Sequence, residues 1–355
     1  MSDELDRLEL SGGRYALALS AAQQKKYVED FTGTRNKMFR IHPCGTIVCE
    51  GFKYIEKDVY NFTFRPDDVL VMSYLKCGTT WTQEIIWNMI YSPNQEHADT
   101  DEPLITRSPV IEADMFMMDA LKKVPIDHFL KDPMFSHYRT RCPNPNPNRG
   151  LHLQLAESYT ERRVLKTHLP FSCYQPGLLD KCKVIVCVRH PKDVMLSYQH
   201  HCRLIKTHGF KGTQDTFIKY FVEDLLAWGS YAHLLREALE FKSHPNIHFI
   251  YYEDMKADID TELLKLNEFL GLKLNSEQLN NVQQQTCFDS MQKLDPYRLM
   301  VSEVTDKQVA EKDGPFIRQG KAGGWKGKLT AEQEEILDDY ISKNFADLDL
   351  KVRYL

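Results

Sequence analysis

Residues 69–81, VLVMSYLKCGTTW, restrict the fold more than any other part of the chain, because an apolar run there ends in a lysine, a glycine and two threonines. Val69, Leu70, Val71 and Met72 form a short, mostly branched segment of the kind buried on both faces of a parallel sheet. Lys76 and Gly78 make a turn, and from Thr79 onward Trp81, Ile85, Ile86, Met89 and Ile90 recur at helical spacing. The turn therefore lies at a helix N-terminus, where unpaired N–H groups and the helix dipole favour an anion. The order is not that of the Walker loop G-x-x-x-x-G-K-[ST]: the lysine precedes the glycine, and Thr79 stands where that lysine would be. A kinase or nucleoside triphosphatase fits it poorly.

Further strands follow at similar spacing. RVLKT at 163–167 leads into His168, Leu169 and Pro170, and KVIVCV at 183–188 leads into Arg189, His190 and Pro191. Proline there starts a helix that carries Ser197 and runs to about Ile205. Helical patterns over 213–228 and 231–241 precede a strand at 247–252, and another helix covers about 255–270. Strands alternating with helices imply βαβ units, hence an α/β fold: a single domain with a mostly parallel sheet flanked by helices. In such sheets ligands sit at the C-terminal ends of the strands, where Lys76, His168, Arg189 and Tyr252 all fall.

The chain has 355 residues and a net charge of -5, which gives no general reason to expect a nucleic acid or an anionic membrane as partner. An anionic ligand must be met by a local basic pocket. Nine cysteines, an odd number without a C-x-x-C pair, point to reduced thiols rather than to a disulfide framework or a zinc site. The opening MSDELDRLEL lacks the regions of a signal peptide and no later run is long enough to span a bilayer, so a cytoplasmic protein is expected.

Residues 1–44 read as an extension packed on a domain covering 45–355, with a helix near 21–31. Phe52 and Tyr54 precede the first core strand and are candidates for the wall of a substrate pocket. Residues 92–163 are irregular, with CPNPNPNRG at 142–150, and form an insertion or lid; Met115, Phe116, Met117, Met118 and Leu121 predict that part of it packs. Near the C-terminus, PFIRQGKAGGWKGKL at 315–329 interleaves glycines with cations, so its backbone can approach an anion closely. A helix over 330–344 closes the domain.

Taken together, the motifs resemble those of the cytosolic sulfotransferases, enzymes that use 3′-phosphoadenosine 5′-phosphosulfate (PAPS) as donor and release PAP. YLKCGTTW at 74–81 is similar to the family's 5′-phosphosulfate loop, and LKTHLP at 165–170 to its catalytic strand end. RHPKDVMLSY at 189–198 is similar to its 3′-phosphate segment, YYEDM at 251–255 to a tyrosine-bearing strand, and IRQGKAGGWK at 317–326 to its C-terminal loop. The likeness covers about residues 45–345 and leans toward invertebrate members such as retinol dehydratase and luciferin sulfotransferase.

The resemblance implies a role for each of these residues. In-line transfer of a sulfuryl group needs a base for the acceptor proton and cations for the leaving phosphate. The resemblance makes His168 the base and Lys76, Lys166 and Ser197 the further catalytic residues, with no metal required. Lys76, Cys77, Gly78, Thr79, Thr80 and Trp81 would hold the 5′-phosphosulfate, and Arg189, Ser197 and Arg318 the 3′-phosphate. Trp81, Tyr252, Thr286 and Phe288 would hold adenine; Cys287, Met291, Phe316, Ile317, Gln319 and Gly320 complete the donor site. The acceptor, a small lipophilic phenol, sterol or other alcohol, would touch Phe52, Tyr54, Lys166, His168 and the irregular segments 92–163 and 201–212.

Several positions depart from the family pattern. Leu75 and Cys77 replace a usual proline and serine, Gln319 replaces a common lysine, and Ala331 replaces valine in a segment, 326–335, through which a homodimer would form. A thiol at Cys77, beside Lys76 and a helix N-terminus, admits a lowered pKa and redox sensitivity, but an inert buried thiol is the favoured reading. Two other functions stand beside simple sulfation: a retinol-dehydratase-like loss of sulfate from an allylic alcohol, and a non-catalytic nucleotide or lipid carrier.

Overall fold

The structure is a computed structural model that describes residues 6–34, 36–97, 100, 102–116, 118, 136–146, 148–293 and 304–350. An antiparallel sheet comes first, with β1 (Arg7–Glu9), β2 (Tyr15–Ala18), β3 (Met38–His42) and β4 (Ile47–Cys49) in that spatial order. Its strands are only three to five residues long and show little alternation of apolar and polar residues, so periodicity did not reveal them. The helix expected between them is Ala21–Asp30, with Ser20 and Gln23 forming a reciprocal cap. Residue 44 falls in the turn between β3 and β4, which pair from Met38↔Cys49 to Arg40↔Ile47.

The second sheet is parallel throughout, in the order β6 (Val164–Thr167), β5 (Val69–Ser73), β7 (Lys183–Val188), β8 (Ile247–Tyr251). All five residues of β5 are buried, as expected of a strand covered on both faces. Met72 pairs with Thr167 and Ser73 with Cys187, so the strands end level with one another. The chain leaves β5 for β6 on one side and then crosses to β7 on the other. That reversal opens a crevice at the C-terminal ends of the strands. Helices Thr79–Tyr91 and Pro191–Leu204 follow β5 and β7, the second with proline at its start and the His190 ring accepting the Lys192 N–H.

Two helices are shorter than their apolar periodicity suggests. The segment expected to be helical over 213–228 is helical only at Gln214–Val222. Beyond it Asp224 and Trp228 take positive φ angles of 51° and 59°, while the Trp228 N–H donates to the Ile47 carbonyl and the Ile47 N–H to that of Gly229. The free edge of β4 thus recruits this backbone out of the helix. The segment expected as one helix over 255–270 is Tyr252–Ala257 and Ile259–Leu270, because Asp258 accepts the Thr261 N–H and caps the second.

Much of the irregular segment is core. Ile111 donates to the Lys166 carbonyl and Lys166 to that of Pro109, extending the sheet beyond β6. Arg107 and Glu84 form a buried ion pair at 2.6 Å that ties the segment to the Thr79–Tyr91 helix. Met115 and Met118 are fully buried and Phe116 partly so; Met117 and Leu121 lie outside the described residues.

Candidate active site

The crevice is a cavity of about 640 Å³. Among the described residues, seven lysines and arginines line it (Lys76, Lys166, Arg189, Lys256, Arg318, Lys321 and Lys328) against a single carboxylate, Asp193. A chain of net negative charge has concentrated cations in one place, as an anionic ligand requires.

β5 delivers Lys76, whose φ of 66° turns the chain sharply, and Gly78, whose φ of 97° starts the Thr79–Tyr91 helix. A Cβ on Gly78 would lie 2.8 Å from the Tyr252 ring, so only glycine permits this packing. No side chain caps the helix, which leaves its first N–H groups open to an anion. Ser73 Oγ and Thr79 Oγ1 are hydrogen-bonded at 2.5 Å across the turn. Lys76 Nζ sits 3.6 Å from the centre of the Phe316 ring.

β6 delivers Lys166 and His168, two residues apart and both on the cavity. His168 Nδ1–H donates to the Ser73 carbonyl at 2.7 Å, which places the lone pair on Nε2. Burial, reinforced by Lys166 and Lys76, holds its pKa well below the usual histidine value, so the ring is neutral at pH 7. Lys166 is half-buried on the cavity wall. That desolvation lowers its pKa to about 8 against the opposing effect of Glu112. Glu112 is itself fully buried and accepts the His168 N–H at 2.7 Å and the Thr167 hydroxyl at 2.9 Å, anchoring the strand end.

β7 delivers Arg189. Its Nη1 donates to the Lys76 carbonyl and its Nη2 to that of Lys321, both at 3.1 Å, and its guanidinium lies 4.1 Å over the Tyr252 ring. Arg189 Nε is buried without a hydrogen-bond partner among the described residues. Ser197, two turns along the following helix, also faces the cavity. Asp193 on that helix accepts the N–H groups of Gly323 and Trp325 at 2.7 and 2.9 Å, and Lys192 and His190 pack on the Trp325 indole. These contacts draw the glycine-rich C-terminal loop over the crevice. Gln319 leaves the loop one charge short of the family pattern, but Lys328 Nζ donates to the Gln319 amide oxygen at 2.9 Å and lines the same cavity.

Of the residues singled out by sequence, Lys76, Gly78, Thr79, Thr80, Trp81, Lys166, His168, Arg189, Ser197, Tyr252, Thr286, Phe288, Met291, Phe316, Ile317, Arg318, Gln319 and Gly320 all line this cavity. The Trp81 indole N–H donates to the Thr286 carbonyl at 2.9 Å, which fixes the ring beside Tyr252. Four others lie elsewhere. Phe52 is buried in the core and Tyr54 half-buried under Lys53, because their turn packs behind Ala113–Phe116 and Phe116 faces the cavity instead. Cys287 is exposed outside it. Cys77 is fully buried, and burial pushes its thiol pKa up, which fits the inert buried thiol and not the redox-sensitive one.

Trp228 and His152 are wall residues that sequence reasoning missed. Trp228 was hidden inside an apparently helical pattern. His152 is held by Asp114, which accepts from its Nδ1 at 3.2 Å, and no local pattern announces a pair 38 residues apart. Among the described residues no group of three His, Cys, Asp or Glu side chains is arranged to hold a metal ion, and no helix is long and apolar enough to cross a membrane.

Residues 66–349 match the sulfotransferase domain family. Sulfotransferase 1A1 of Rattus norvegicus is 30% identical over 316 residues, covering 88% of this chain and 96% of the relative. Among solved structures, retinol dehydratase in complex with androsterone and inactive cofactor PAP aligns with a TM-score of 0.81 at 26% identity, covering 96% of this chain and 99% of the other. Retinol dehydratase in a complex with retinol and PAP gives 0.78 at 27% identity, covering 95% and 98%. With a parallel sheet whose strand ends converge on one cationic crevice, and with that match over most of its length, this chain belongs to the sulfotransferase family of enzymes.

Proposed function

We propose that the enzyme transfers a sulfuryl group from PAPS to the hydroxyl of a small lipophilic acceptor, with His168 as general base. The observation that carries this reading is the His168 imidazole, held neutral with its Nδ1–H on the Ser73 carbonyl and flanked by Lys76 and Lys166 on the cavity wall.

Three features fit a nucleotide with phosphate at both ends. The helix start at Gly78 has no side-chain cap, Arg189 Nε is buried without a partner among the described residues, and Gly320, with a φ of 57°, leaves no room for a Cβ against the Phe288 ring. The Gly78–Trp81 N–H groups would bind the 5′-phosphate, Arg189, Ser197 and Arg318 the 3′-phosphate, and Trp81, Tyr252, Thr286 and Phe288 the adenine. PAPS supplies the sulfuryl group and departs as PAP. His168 Nε2 takes the acceptor's hydroxyl proton. Lys76 and Lys166 place positive charge where negative charge grows, which matters more in a site enclosed by protein than in water.

Purified protein incubated with labelled PAPS and a panel of phenols, sterols and retinoids is expected to yield a sulfate ester. The His168→Ala variant should lose about 10²–10⁴-fold in turnover, the range for a general base, while still binding PAP. No ester from any acceptor with the fold intact refutes sulfuryl transfer; an unaffected His168→Ala variant refutes the assignment of the base.

The two retinol dehydratase structures, alike over nearly the whole chain, favour a second reading in which the sulfate of an allylic alcohol is then eliminated. Retinol would then give its anhydro product, through loss of sulfate and a proton from the sulfate ester, only when PAPS is present, and a stable retinyl sulfate would exclude it.

A further inference from the structure

A belt of rings lines one side of the cavity, and part of it is polar. His168 meets Trp228 edge-on at 5.4 Å, Trp228 meets Phe116 at 4.9 Å and His208 at 6.5 Å, and His208 lies 5.3 Å from His201. His201 in turn meets Phe316, the ring under Lys76 Nζ, at 5.7 Å. The loop carrying His208 is fixed from behind: the Gly33 N–H donates to the His208 carbonyl, Thr32 to that of Gly209, and Phe31 packs on Phe210 at 4.9 Å.

Among the described residues the Trp228 indole N–H and His201 Nδ1 have no hydrogen-bond partner and are enclosed within the wall, whereas His201 Nε2 and both ring nitrogens of His208, which make no bond to a described residue, retain accessible surface. Trp228 and His201 are each 7% exposed and His208 5%. Leaving the two enclosed groups unpaired costs about 1–3 kcal/mol apiece, and the accessible nitrogens of His201 and His208 are the ones a ligand oxygen can reach. The neighbouring wall includes the apolar Ile105, Val110 and Leu196. A flip of either imidazole exchanges its nitrogens with carbons and turns a different polar atom toward the cavity. Burial keeps His201 and His208 neutral at pH 7, suited to an uncharged oxygen rather than a carboxylate.

We propose that His201 and His208, backed by the Trp228 ring, form a specificity subsite for a second oxygen on the acceptor. The favoured substrates are lipophilic diols, catechols or hydroxyketones rather than monohydroxylated hydrocarbons. The inference rests on sulfuryl transfer to a lipophilic hydroxyl: one oxygen goes to His168, and the second satisfies the belt. A site built to hydrogen-bond an oxygen rejects the analogue lacking it, because its own groups are then left unpaired.

The test is calorimetric binding to PAP-loaded protein of two matched pairs: androsterone against the same steroid alcohol without the ketone, and catechol against phenol. The oxygen-bearing partner of at least one pair should bind about tenfold or more tightly, roughly the 1.4 kcal/mol of one hydrogen bond. That preference should collapse in His201→Phe or His208→Phe and return in part in His208→Gln, with thermal unfolding confirming that each variant is folded. Equal affinities within both pairs, or a preference surviving both phenylalanine variants, overturns the subsite. Because binding is read without turnover, the subsite can fail while sulfation of simple phenols stands. Discrimination with no sulfate ester formed on any acceptor would instead overturn the catalytic reading.

Discussion

Replacing Glu112 by glutamine should disturb the reacting centre, although Glu112 reaches it only through other residues. One carboxylate oxygen accepts the His168 N–H at 2.7 Å and the other the Thr167 hydroxyl at 2.9 Å. The Thr167 oxygen already accepts the Tyr174 hydroxyl at 2.6 Å and the Leu169 N–H at 3.0 Å. Its lone pairs are therefore taken, and an amide NH₂ at position 112 would face a hydroxyl proton with no acceptor between them. Glutamine keeps one of the two bonds at best. A lost hydrogen bond to a charged group is worth about 1.5–3 kcal/mol, so Glu112→Gln should lower unfolding stability by about that amount. Glu112 also supports the charge on Lys166, whose pKa is about 8. Without it the ammonium loses its proton at lower pH, and the alkaline limb of kcat should move down. Urea unfolding at neutral pH together with kcat profiles from pH 6 to 9 would read both effects. An unchanged alkaline limb with stability within about 0.5 kcal/mol of the parent would refute the argument.

Four further outcomes follow from the same geometry. Arg189→Ala removes the link between the Lys76 and Lys321 carbonyls and should raise the Kd for PAP about 10–100-fold by calorimetry, equivalent to one charge-assisted interaction; a change under threefold would contradict that role. Gly78→Ala forces a Cβ to 2.8 Å from Tyr252 at a φ of 97° and should cost more than about 1 kcal/mol of stability as well as donor affinity; a neutral result would show that the turn relaxes. His168, His201 and His208 are buried neutral, His208 with a pKa of about 4, whereas the unfolded chain takes up these protons near pH 6.5. Their contribution is complete above pH 6.5 and is lost as pH falls toward 4, so Tm should drop over that interval, and a flat profile would count against it. Cys77, with its thiol pKa raised by burial, should resist mild peroxide in the native protein while exposed Cys287 reacts; mass spectrometry showing Cys77 modified first would reverse that order.

The donor half of the site was legible because its parts are local. A strand, a turn and a helix start lie within thirteen consecutive residues at 69–81, and each strand end announces its own Lys76, His168 or Arg189. The acceptor half was not, since its residues come from far-apart irregular segments. Phe52 and Tyr54 had the right composition and place in the chain, yet their turn packs behind Phe116, which takes the position facing the ligand. Cys77 had the neighbours of a reactive thiol, but complete burial outweighs them.

By itself, then, the sequence determined the parallel sheet, the order of its phosphate-binding turns and the chemistry at the strand ends, all governed by short-range periodicity and by helix and turn geometry. Only the tertiary structure decided that Trp228 leaves its helix for the edge of β4, that Lys328 brings a cation beside Gln319, and that His201 and His208 close a belt with His168. Those outcomes depend on which unpaired backbone groups and buried rings meet across long chain separations, and no local pattern encodes such meetings.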